Sequence, residues 1–404
     1  MSARGAVTRG LPFALLLPLL LAAQPVATDS YLPALPEIAR DLGSASASLT
    51  VFVLAFGIGQ LPCGPLADRF GRRPVLLGGL GCYALAALVC ALAASVPMLV
   101  AGRALQGFAM AAILVCARAA VRDLYPAHEG PHVMARGLGG LGVVALAAPI
   151  LGARVVQSLG WRWVLAGMAC YAIALGMLCW RGFPETRAAA SDAETGAQGG
   201  VREVFASPSF RAWAALAATT YAGLFCFLLL SPMVYISLLG FPPSWYGWIP
   251  AAGSGIYILG TMLCRRLLVR RGALRTVQLA ATLSLAGPIV QALGCWLIPA
   301  SAWPLLLGHG IYCVGHGIHQ PCGQAGAVGE LPRLAGRAVS WSGFLMMAAA
   351  FALGQAASAF VDPQLSRGAW PMVLPMLLAG CVLMTIAFGW LPRLRALSPR
   401  RAGA

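Results

Sequence analysis

Long apolar stretches follow one another along almost the whole chain, separated by short segments that carry arginine. A helix needs about 20 apolar residues to cross the hydrocarbon core of a bilayer, where lipid offers no hydrogen-bond partner to an open backbone. Each stretch is therefore predicted to be a membrane-spanning helix. Because 59% of the 404 residues are hydrophobic and only 10% are charged, a soluble core could not bury so much apolar surface.

Twelve spans are predicted, which makes the chain an all-α polytopic membrane protein. They cover residues 11–33, 48–67, 75–95, 98–120, 134–157, 161–181, 209–235, 245–267, 275–298, 302–323, 337–361 and 369–391. The first stretch also resembles a secretory signal, with cleavage after Ala27 as the alternative. We expect it to stay uncleaved, because this keeps the number of spans even and the loop charges consistent.

Arginine is distributed unequally between the two predicted sides of the membrane. All 28 basic residues are arginine, and the formal net charge is +16. Arg40, Arg154, Arg162 and Arg367 fall on one side, Arg103 lies within a span, and the other 23 fall on the opposite side. The positive-inside rule then places both termini in the cytoplasm. Since the excess charge sets topology, no nucleic-acid partner is expected.

A long polar segment divides the predicted spans six and six. Residues 183–209 are rich in Ala, Gly, Ser and acidic residues and lack apolar periodicity. We therefore predict an N-terminal half over 1–182, a flexible cytoplasmic linker over 183–208 and a C-terminal half over 209–404.

The two halves also repeat one another, which indicates a parallel duplication. A shift of 201 residues carries Gly59, Cys63, Leu66, Arg69 and Gly71 onto Gly260, Cys264, Leu267, Arg270 and Gly272.

Charge is concentrated in GPLADRFGRRP, the predicted cytoplasmic turn between spans two and three. We call this stretch the gate motif; its defining residues are Gly64, Asp68, Arg69, Gly71, Arg72 and Arg73. Its glycines allow a tight turn and close helix approach. The pattern resembles a signature of the major facilitator superfamily. The resemblance implies two pseudo-symmetric six-helix halves, with the aspartate facing a helix N-terminus in the partner half and the arginines pairing with nearby acids. A carboxylate at a helix N-terminus is worth about 0.3–1 kcal/mol, weak enough for a latch that opens in every cycle.

Three further stretches extend this resemblance. AGRALQGFAMAA in span four keeps Arg103 and Gln106 of a superfamily signature, and LGVVALAAPILGA in span five keeps Pro149 and Gly152 of the antiporter signature. TDSYLPALPEIARDLG and ARAAVRDLY are similar to the Bcr/CflA branch of bacterial drug:proton antiporters. In that family the first and fourth spans of each half line the central cavity.

Two charges lie at similar predicted depths in the outer third of the membrane. Asp29 is close to the outer end of span one, and Arg103 is close to the outer end of span four. A charge within the bilayer faces a partner or a wet cavity. We expect Asp29 to exchange protons with the outside and Arg103 to bias that exchange. The alternative has Asp29 capping the end of a helix in interfacial water, and Arg103 either snorkelling to the interface or binding backbone carbonyls.

Span ten carries three histidines, and span seven carries aromatic residues. His309 and His316 lie near one helix face, whereas His319 points elsewhere, and imidazole titrates near pH 6.5. They are candidates for proton or substrate binding, with helix packing as the alternative and a metal site disfavoured by their spacing. Tyr221 and Phe225 share a face of span seven, so we assign both to the substrate cavity together with Gln106, His309 and His316.

The 12 cysteines are scattered singly without a C-x-x-C pair, which indicates small buried hydrophobic residues rather than redox chemistry. No P-loop, H-E-x-x-H or G-x-S-x-G motif is present, so neither an enzyme nor an ATP-driven pump is expected.

These features predict a monomeric transporter of the bacterial inner membrane that exports small amphipathic compounds and uses no cofactor beyond the proton gradient. A proton-coupled transporter of a specific metabolite is the nearest alternative. A membrane sensor without transport is a further alternative.

Overall fold

The computed structural model describes residues 13–43, 45–125, 129–186, 200–361 and 364–397. The chain forms two compact units, residues 1–196 and 197–404. The predicted domain boundaries stay predictions, because residues 187–199 of the predicted linker lie outside the described residues.

The first unit consists of helices joined by short turns. They are α1 (Phe13–Thr28), a 3-10 turn (Leu32–Ala34), α2 (Leu35–Leu42), α3 (Ser46–Phe70), α4 (Arg72–Ala91), α5 (Val96–Leu124), α6 (Gly130–Leu159) and α7 (Trp161–Gly182). Local sequence explains several ends. The Ser95 side chain accepts a hydrogen bond from the Met98 N–H at the start of α5. Gly43 and Gly71 end α2 and α3 at positive φ.

The second unit is also helical in its described part. It contains α8 (Val201–Ala206), α9 (Pro208–Pro232), a π-helix (Met233–Leu238), α10 (Pro243–Tyr246), α11 (Trp248–Leu297), α12 (Trp303–Gly329), a 3-10 turn (Pro332–Leu334), α13 (Ala335–Ala359), α14 (Trp370–Met384), a π-helix (Thr385–Trp390) and α15 (Leu391–Leu397). Gly272 interrupts α11 with φ 70° and ψ 170°. This helix therefore contains two spans joined by a turn.

Ten helices of the described chain are long and apolar enough to cross a membrane. Because one of them includes both spans of α11, they account for eleven crossings, and α12, with 27 residues, supplies the twelfth. The prediction of an all-α polytopic membrane protein with twelve spans is confirmed.

The two units pack their helices in the same pattern, which supports the predicted duplication. In the first unit α1 packs on α6, α3 on α5 and α4 on α7. In the second unit the corresponding pairs are α9 with α13, α11 with α12 and α11 with α14. The predicted counterparts Gly71 and Gly272 both adopt positive φ, 96° and 70°, and each separates two consecutive spans. This conformation requires glycine at the turn in both units.

Within the predicted linker, residues 183–208, the chain forms the short helix α8. Val204 of this helix is fully buried, and Phe205 packs edge-on against Phe210 and Trp341. Val204 and Phe205 belong to an apolar cluster of the second unit, and this packing stabilises the helix, whereas Val201 is exposed.

Candidate functional site

The gate motif contains one sharp turn in the first unit, and it lies at Gly71. The carboxylate of Glu185 accepts hydrogen bonds from the backbone N–H groups of Arg72 at 2.9 Å and Arg73 at 3.2 Å. A Cβ atom at Gly71 would lie 3.0 Å from the Glu185 carboxyl carbon, so glycine leaves room for this acid. Glu185 therefore caps α4, where unpaired N–H groups and the helix dipole favour a negative charge.

Gly64, the other glycine of the gate motif, does not form a turn. It lies inside α3, and a Cβ atom there would contact no described atom of the first unit within 4 Å. The difference arises because α3 continues to Phe70, so only the glycine that follows its last residue changes the chain direction.

Arg72 is the buried centre of a charged network at this turn. Its guanidinium forms an ion pair with Asp68, and its Nε donates to Asp123 Oδ2 at 3.0 Å. The hydroxyl of Thr186 donates to the same Asp123 oxygen at 3.1 Å. Arg72 is 7% exposed, so these acids compensate a cation that has lost most of its water.

The other two arginines of the gate motif lie further from its centre. Arg73 donates to the Trp180 carbonyl at 2.6 Å, which ties α4 to α7. The Arg69 guanidinium lies 5.2 Å from the ring centroid of Phe70. The predicted pairing of arginines with nearby acids is thus present for Arg72, whereas the predicted contact of Asp68 with a helix of the other half stays a prediction.

Arg103 is fully buried at the end of α1, and it contacts the backbone there. Its Nη2 donates to the Ala27 carbonyl at 3.1 Å, and its Nη1 donates to Gln106 Oε1 at 2.5 Å. The guanidinium also lies over the rings of Tyr31 at 4.3 Å and Phe52 at 4.2 Å. Its Nε has no hydrogen-bond partner among the described residues. Carbonyl, amide and aromatic groups therefore surround this buried cation where a carboxylate could have done so.

Asp29 follows the last residue of α1 and is partly buried. Its Oδ1 accepts a hydrogen bond from the Thr28 hydroxyl at 2.7 Å. Within the described chain no ion pair joins Asp29 to Arg103, although Arg103 does reach the end of α1. The structure thus places the two predicted residues in one region, with the guanidinium on the Ala27 carbonyl. Their predicted roles in proton coupling stay predictions.

The antiporter signature packs against the same end of α1. Pro149 and Gly152 are buried in α6. A Cβ atom at Gly152 would lie 2.7 Å from Ser30 Cα and 2.8 Å from its carbonyl carbon. Because position 152 is glycine, the backbone of α6 can contact the backbone of Ser30, the residue that follows Asp29. The Ser30 hydroxyl donates to the Val26 carbonyl at 2.6 Å, which holds this bend in place.

Gln106 has both polar groups engaged inside the first unit. Its oxygen accepts from Arg103, and its amide donates weakly to the Met168 sulfur at 3.8 Å. Gln106 is fully buried and positions Arg103 in this conformation. Its predicted contact with substrate stays a prediction.

The histidines of α12 have three different environments in the second unit. His316 Nδ1 lies 3.1 Å from the Thr220 hydroxyl. His309 stacks on Phe227, with ring centroids 3.4 Å apart. His319 Nε2 donates to the Val277 carbonyl at 3.2 Å, which agrees with its expected separate orientation. The described residues contain no group of three or more His, Cys, Asp or Glu able to hold a metal ion.

His316 belongs to a small aromatic cluster that includes Tyr221 and Phe225, both assigned to the substrate cavity, and also Tyr257. Its ring centroid lies 6.4 Å from that of Tyr221 and 5.3 Å from that of Tyr257. Phe225 stacks beside Tyr221 at 6.4 Å and contacts α13 at Gly354. The structure therefore brings Tyr221, Phe225 and His316 together, while His309 belongs to a separate contact with Phe227.

Sequence reasoning missed the acids that complete the gate motif and the hydroxyl that binds His316. Asp123 follows an arginine at the end of α5, and Glu185 follows a proline three residues after α7. Single acids at the ends of two spans that face the arginine-rich turn are a usable signal. Thr220 gave no such signal, because a helical threonine often bonds its own backbone.

Two similarly packed helical units and a charged turn between consecutive spans are features that this chain shares with a known family of membrane proteins. The chain belongs to the Major Facilitator Superfamily, whose sequence model matches residues 19–355. It is 28% identical over 395 residues to multidrug resistance protein D of Escherichia coli K12, covering 95% of this chain and 96% of the relative. A chloramphenicol resistance protein of Pseudomonas aeruginosa is 42% identical over 164 residues, 39% of each chain.

Solved structures agree with the fold. A bacterial homologue of the human lysosomal transporter Spinster, in an inward-facing and occupied conformation, superimposes with a TM-score of 0.73. The two share 16% sequence identity, and the match covers 95% of this chain and 96% of that one. The predicted resemblance to the superfamily is confirmed, and the names of the relatives agree with the Bcr/CflA branch.

Proposed function

We propose that this protein exports small amphipathic drugs across the bacterial cytoplasmic membrane, driven by inward proton movement through alternating access. The observation that carries this proposal is the similarity to a multidrug resistance protein over 95% of the chain. The family fold supplies twelve spans in two units, the construction used by transporters whose halves rock about a central site. The superfamily consists of transporters, so we infer transport without a catalytic step.

Proton coupling is proposed to centre on Asp29. This carboxylate is partly buried at the end of α1, and the fully buried Arg103 is bound two residues earlier at the Ala27 carbonyl. When Asp29 is protonated, Arg103 stays on the carbonyl oxygen. When Asp29 loses its proton, the carboxylate attracts the guanidinium, because opposite charges interact strongly where water is scarce. Exchange of Arg103 between these two acceptors would link the proton to a movement of α1 against α5.

The gate motif is proposed to control which side of the transporter is open. Arg72 joins Asp68 of α3 to Asp123 of α5, and Glu185 fixes the start of α4. Four spans of the first unit are thereby tied together at one end, which lets that end move as one body. Asp68 remains 65% exposed at the side-chain level, so it is available for a further, reversible contact.

The substrate is proposed to bind the aromatic cluster of Tyr221, Tyr257 and His316, with Phe225 beside it. Aromatic rings give large contact areas without a fixed hydrogen-bond pattern, which suits a range of amphipathic compounds. Thr220 orients the His316 ring, so one imidazole nitrogen stays available to a ligand. His309 is a second candidate for substrate binding; a ligand could contact its ring once the Phe227 side chain that stacks on it has moved away.

We further propose that the protein is a monomer in the bacterial inner membrane with both termini in the cytoplasm. The distribution of 28 arginines supports this orientation. The proton gradient is the proposed energy source, and no cofactor or nucleic-acid partner is needed.

Drug susceptibility in an efflux-deficient bacterial host tests the proposed function. Cells expressing the protein are exposed to chloramphenicol and to a panel of lipophilic cations and neutral drugs. We expect the wild-type protein and Asp29→Glu to raise the inhibitory concentration of several compounds, and Asp29→Asn to raise none at equal membrane abundance. Protection by Asp29→Asn equal to wild type would remove Asp29 from the mechanism. Uptake of one metabolite without any drug would favour the specific transporter, and no uptake of any compound would favour the sensor.

A further inference from the structure

Two cysteines that are 58 residues apart in sequence meet inside the second unit. Cys264 of α11 and Cys322 of α12 have their sulfur atoms 3.6 Å apart. Both residues are buried, with 1% and 8% of their surfaces exposed, and both belong to one apolar cluster. Both are buried apolar residues, as predicted for the cysteines, and the spacing in sequence did not indicate their contact.

The close sulfur contact results from the way that α11 crosses α12. A Cβ atom at Gly260 would lie 2.7 Å from the Val314 carbonyl oxygen, so the two helix backbones touch there. The Thr261 hydroxyl donates across the same crossing to the Gly317 carbonyl at 3.2 Å. Cys264 lies one helical turn beyond Gly260, so the crossing holds its sulfur against Cys322.

The first unit provides a matched comparison. Cys63 of α3 is the repeat counterpart of Cys264, and Cys116 lies in α5, the helix that packs on α3. Both are buried, at 2% and 0% exposure. In the described part of the chain, no sulfur contact like that of Cys264 and Cys322 joins them. The two pairs therefore differ in geometry while they share helix position and burial.

We propose that Cys264 and Cys322 form a reversible disulfide that links α11 to α12 when the protein is exposed to hydrogen peroxide. Peroxide oxidises one thiolate to a sulfenic acid, and the oxygen–oxygen bond breaks to release hydroxide. The second thiol attacks that sulfur, the disulfide forms, and water leaves. In sum, two thiols and one peroxide molecule give one disulfide and two water molecules, with two electrons passing from sulfur to peroxide.

Return to the dithiol form requires a thiol reductant. Cys264 directly precedes Arg265 and Arg266, which places the pair near the predicted cytoplasmic turn at Gly272, between the two spans of α11. Thiols of that compartment are kept reduced, so the disulfide forms only under oxidative stress and is afterwards reversed by thiol–disulfide exchange. The pair is therefore a stress-dependent modification site.

The disulfide is expected to slow drug export, an effect that rests on the proposed function. A disulfide sulfur–sulfur bond is about 2.05 Å long, so the sulfurs must approach by roughly 1.5 Å and then remain joined. α12 carries His316, and α11 carries Tyr257, which packs against it. Fixing one end of this helix pair restricts relative movement at the proposed substrate cluster.

The full-length protein in proteoliposomes provides the test. Hydrogen peroxide or dithiothreitol is applied to wild type, Cys264→Ser, Cys322→Ser and the control variants Cys63→Ser and Cys116→Ser. We expect a peptide linked through Cys264 and Cys322 in wild type and both controls, seen by mass spectrometry after proteolysis. Drug uptake should fall in these three proteins and recover with dithiothreitol. In Cys264→Ser and Cys322→Ser, which cannot form the disulfide, peroxide should leave drug uptake unchanged.

The possible results separate this proposal from the proposed function. Oxidation of the exposed Cys170 and Cys381 without a Cys264–Cys322 peptide would overturn the proposed link. A fully linked protein with unchanged uptake would overturn its effect on transport. Absence of drug uptake in the reduced wild-type protein would overturn the proposed function, while the linked peptide would still report on the cysteine pair.

Discussion

Replacing Gly152 by alanine tests whether the contact between α6 and the end of α1 positions Asp29. The new methyl group would lie 2.7 Å from Ser30 Cα, whereas ordinary contacts begin at 3.4 Å. The two backbones would have to separate by at least about 0.7 Å, because the Ser30 carbonyl oxygen would lie nearer still and none of these atoms belongs to a side chain that can rotate away. We expect this separation to displace the segment that carries Asp29.

The free-energy cost of the close contact at Gly152 can be separated from the effect of adding a methyl group to a helix by a control variant in α6. Forcing an additional carbon into a packed contact typically costs about 1–3 kcal/mol. Exchanging glycine for alanine inside a helix returns about 1 kcal/mol through backbone entropy. Gly139 also lies in α6, and a Cβ atom there would meet no described atom within 4 Å. Gly139→Ala should therefore be stabilised by the change in backbone entropy alone. The difference in unfolding free energy between the two variants then gives the packing cost at Gly152, about 1–3 kcal/mol.

The assay is unfolding of each purified variant in mixed detergent micelles, followed by circular dichroism, with drug export measured at equal membrane abundance. We expect Gly152→Ala to be less stable than Gly139→Ala and to lose export, while Gly139→Ala exports like wild type. Equal stability and equal export of the two variants would refute the proposed packing role of Gly152.

Four further substitutions probe the remaining parts of the mechanism. Arg103→Lys should abolish export in folded protein, because one ammonium group cannot reproduce the two hydrogen bonds and ring contacts of the guanidinium; normal uptake would contradict this. His316→Gln should weaken drug binding and export at equal membrane abundance, because glutamine lacks the ring that contacts Tyr221 and Tyr257, whereas His319→Gln should lower only the yield of folded protein; unchanged drug affinity of His316→Gln would remove it from the proposed substrate cluster. Asp68→Asn should leave Arg72 with one acid and speed the labelling of cysteines placed at the predicted cytoplasmic ends of the spans. Lost export with unchanged labelling would assign Asp68 another role.

Much of the fold could be predicted because its causes are local in sequence. The length of each apolar stretch sets the number of spans, and the positive φ of Gly71 and Gly272 follows from a turn that only glycine accommodates. The helix α8 was missed because its packing depends on only two apolar residues, Val204 and Phe205, and two residues give no helical periodicity in a polar segment.

The partners of the site residues could not be predicted in the same way. Arg72 binds Asp123 and Glu185, which are 51 and 113 residues away in sequence. The spacing of residues along the chain does not indicate contacts over such separations. Likewise, the sequence predicted that Arg103 lies near the end of the first span, but its hydrogen bond to the Ala27 carbonyl depends on where α1 ends. The Cys264–Cys322 contact depends on a helix crossing and is invisible in the spacing of the cysteines.

Proton-driven drug accumulation in proteoliposomes tests the central proposal most directly. With an acidic lumen, protein whose cytoplasmic side faces the bath should take up a drug found in the susceptibility screen, and a protonophore should abolish the uptake. Wild type should accumulate the drug, Asp29→Glu should retain part of this activity, and Asp29→Asn should show none while still binding the drug. Accumulation that is independent of the pH gradient, or equal in wild type and Asp29→Asn, would contradict proton-coupled export through Asp29.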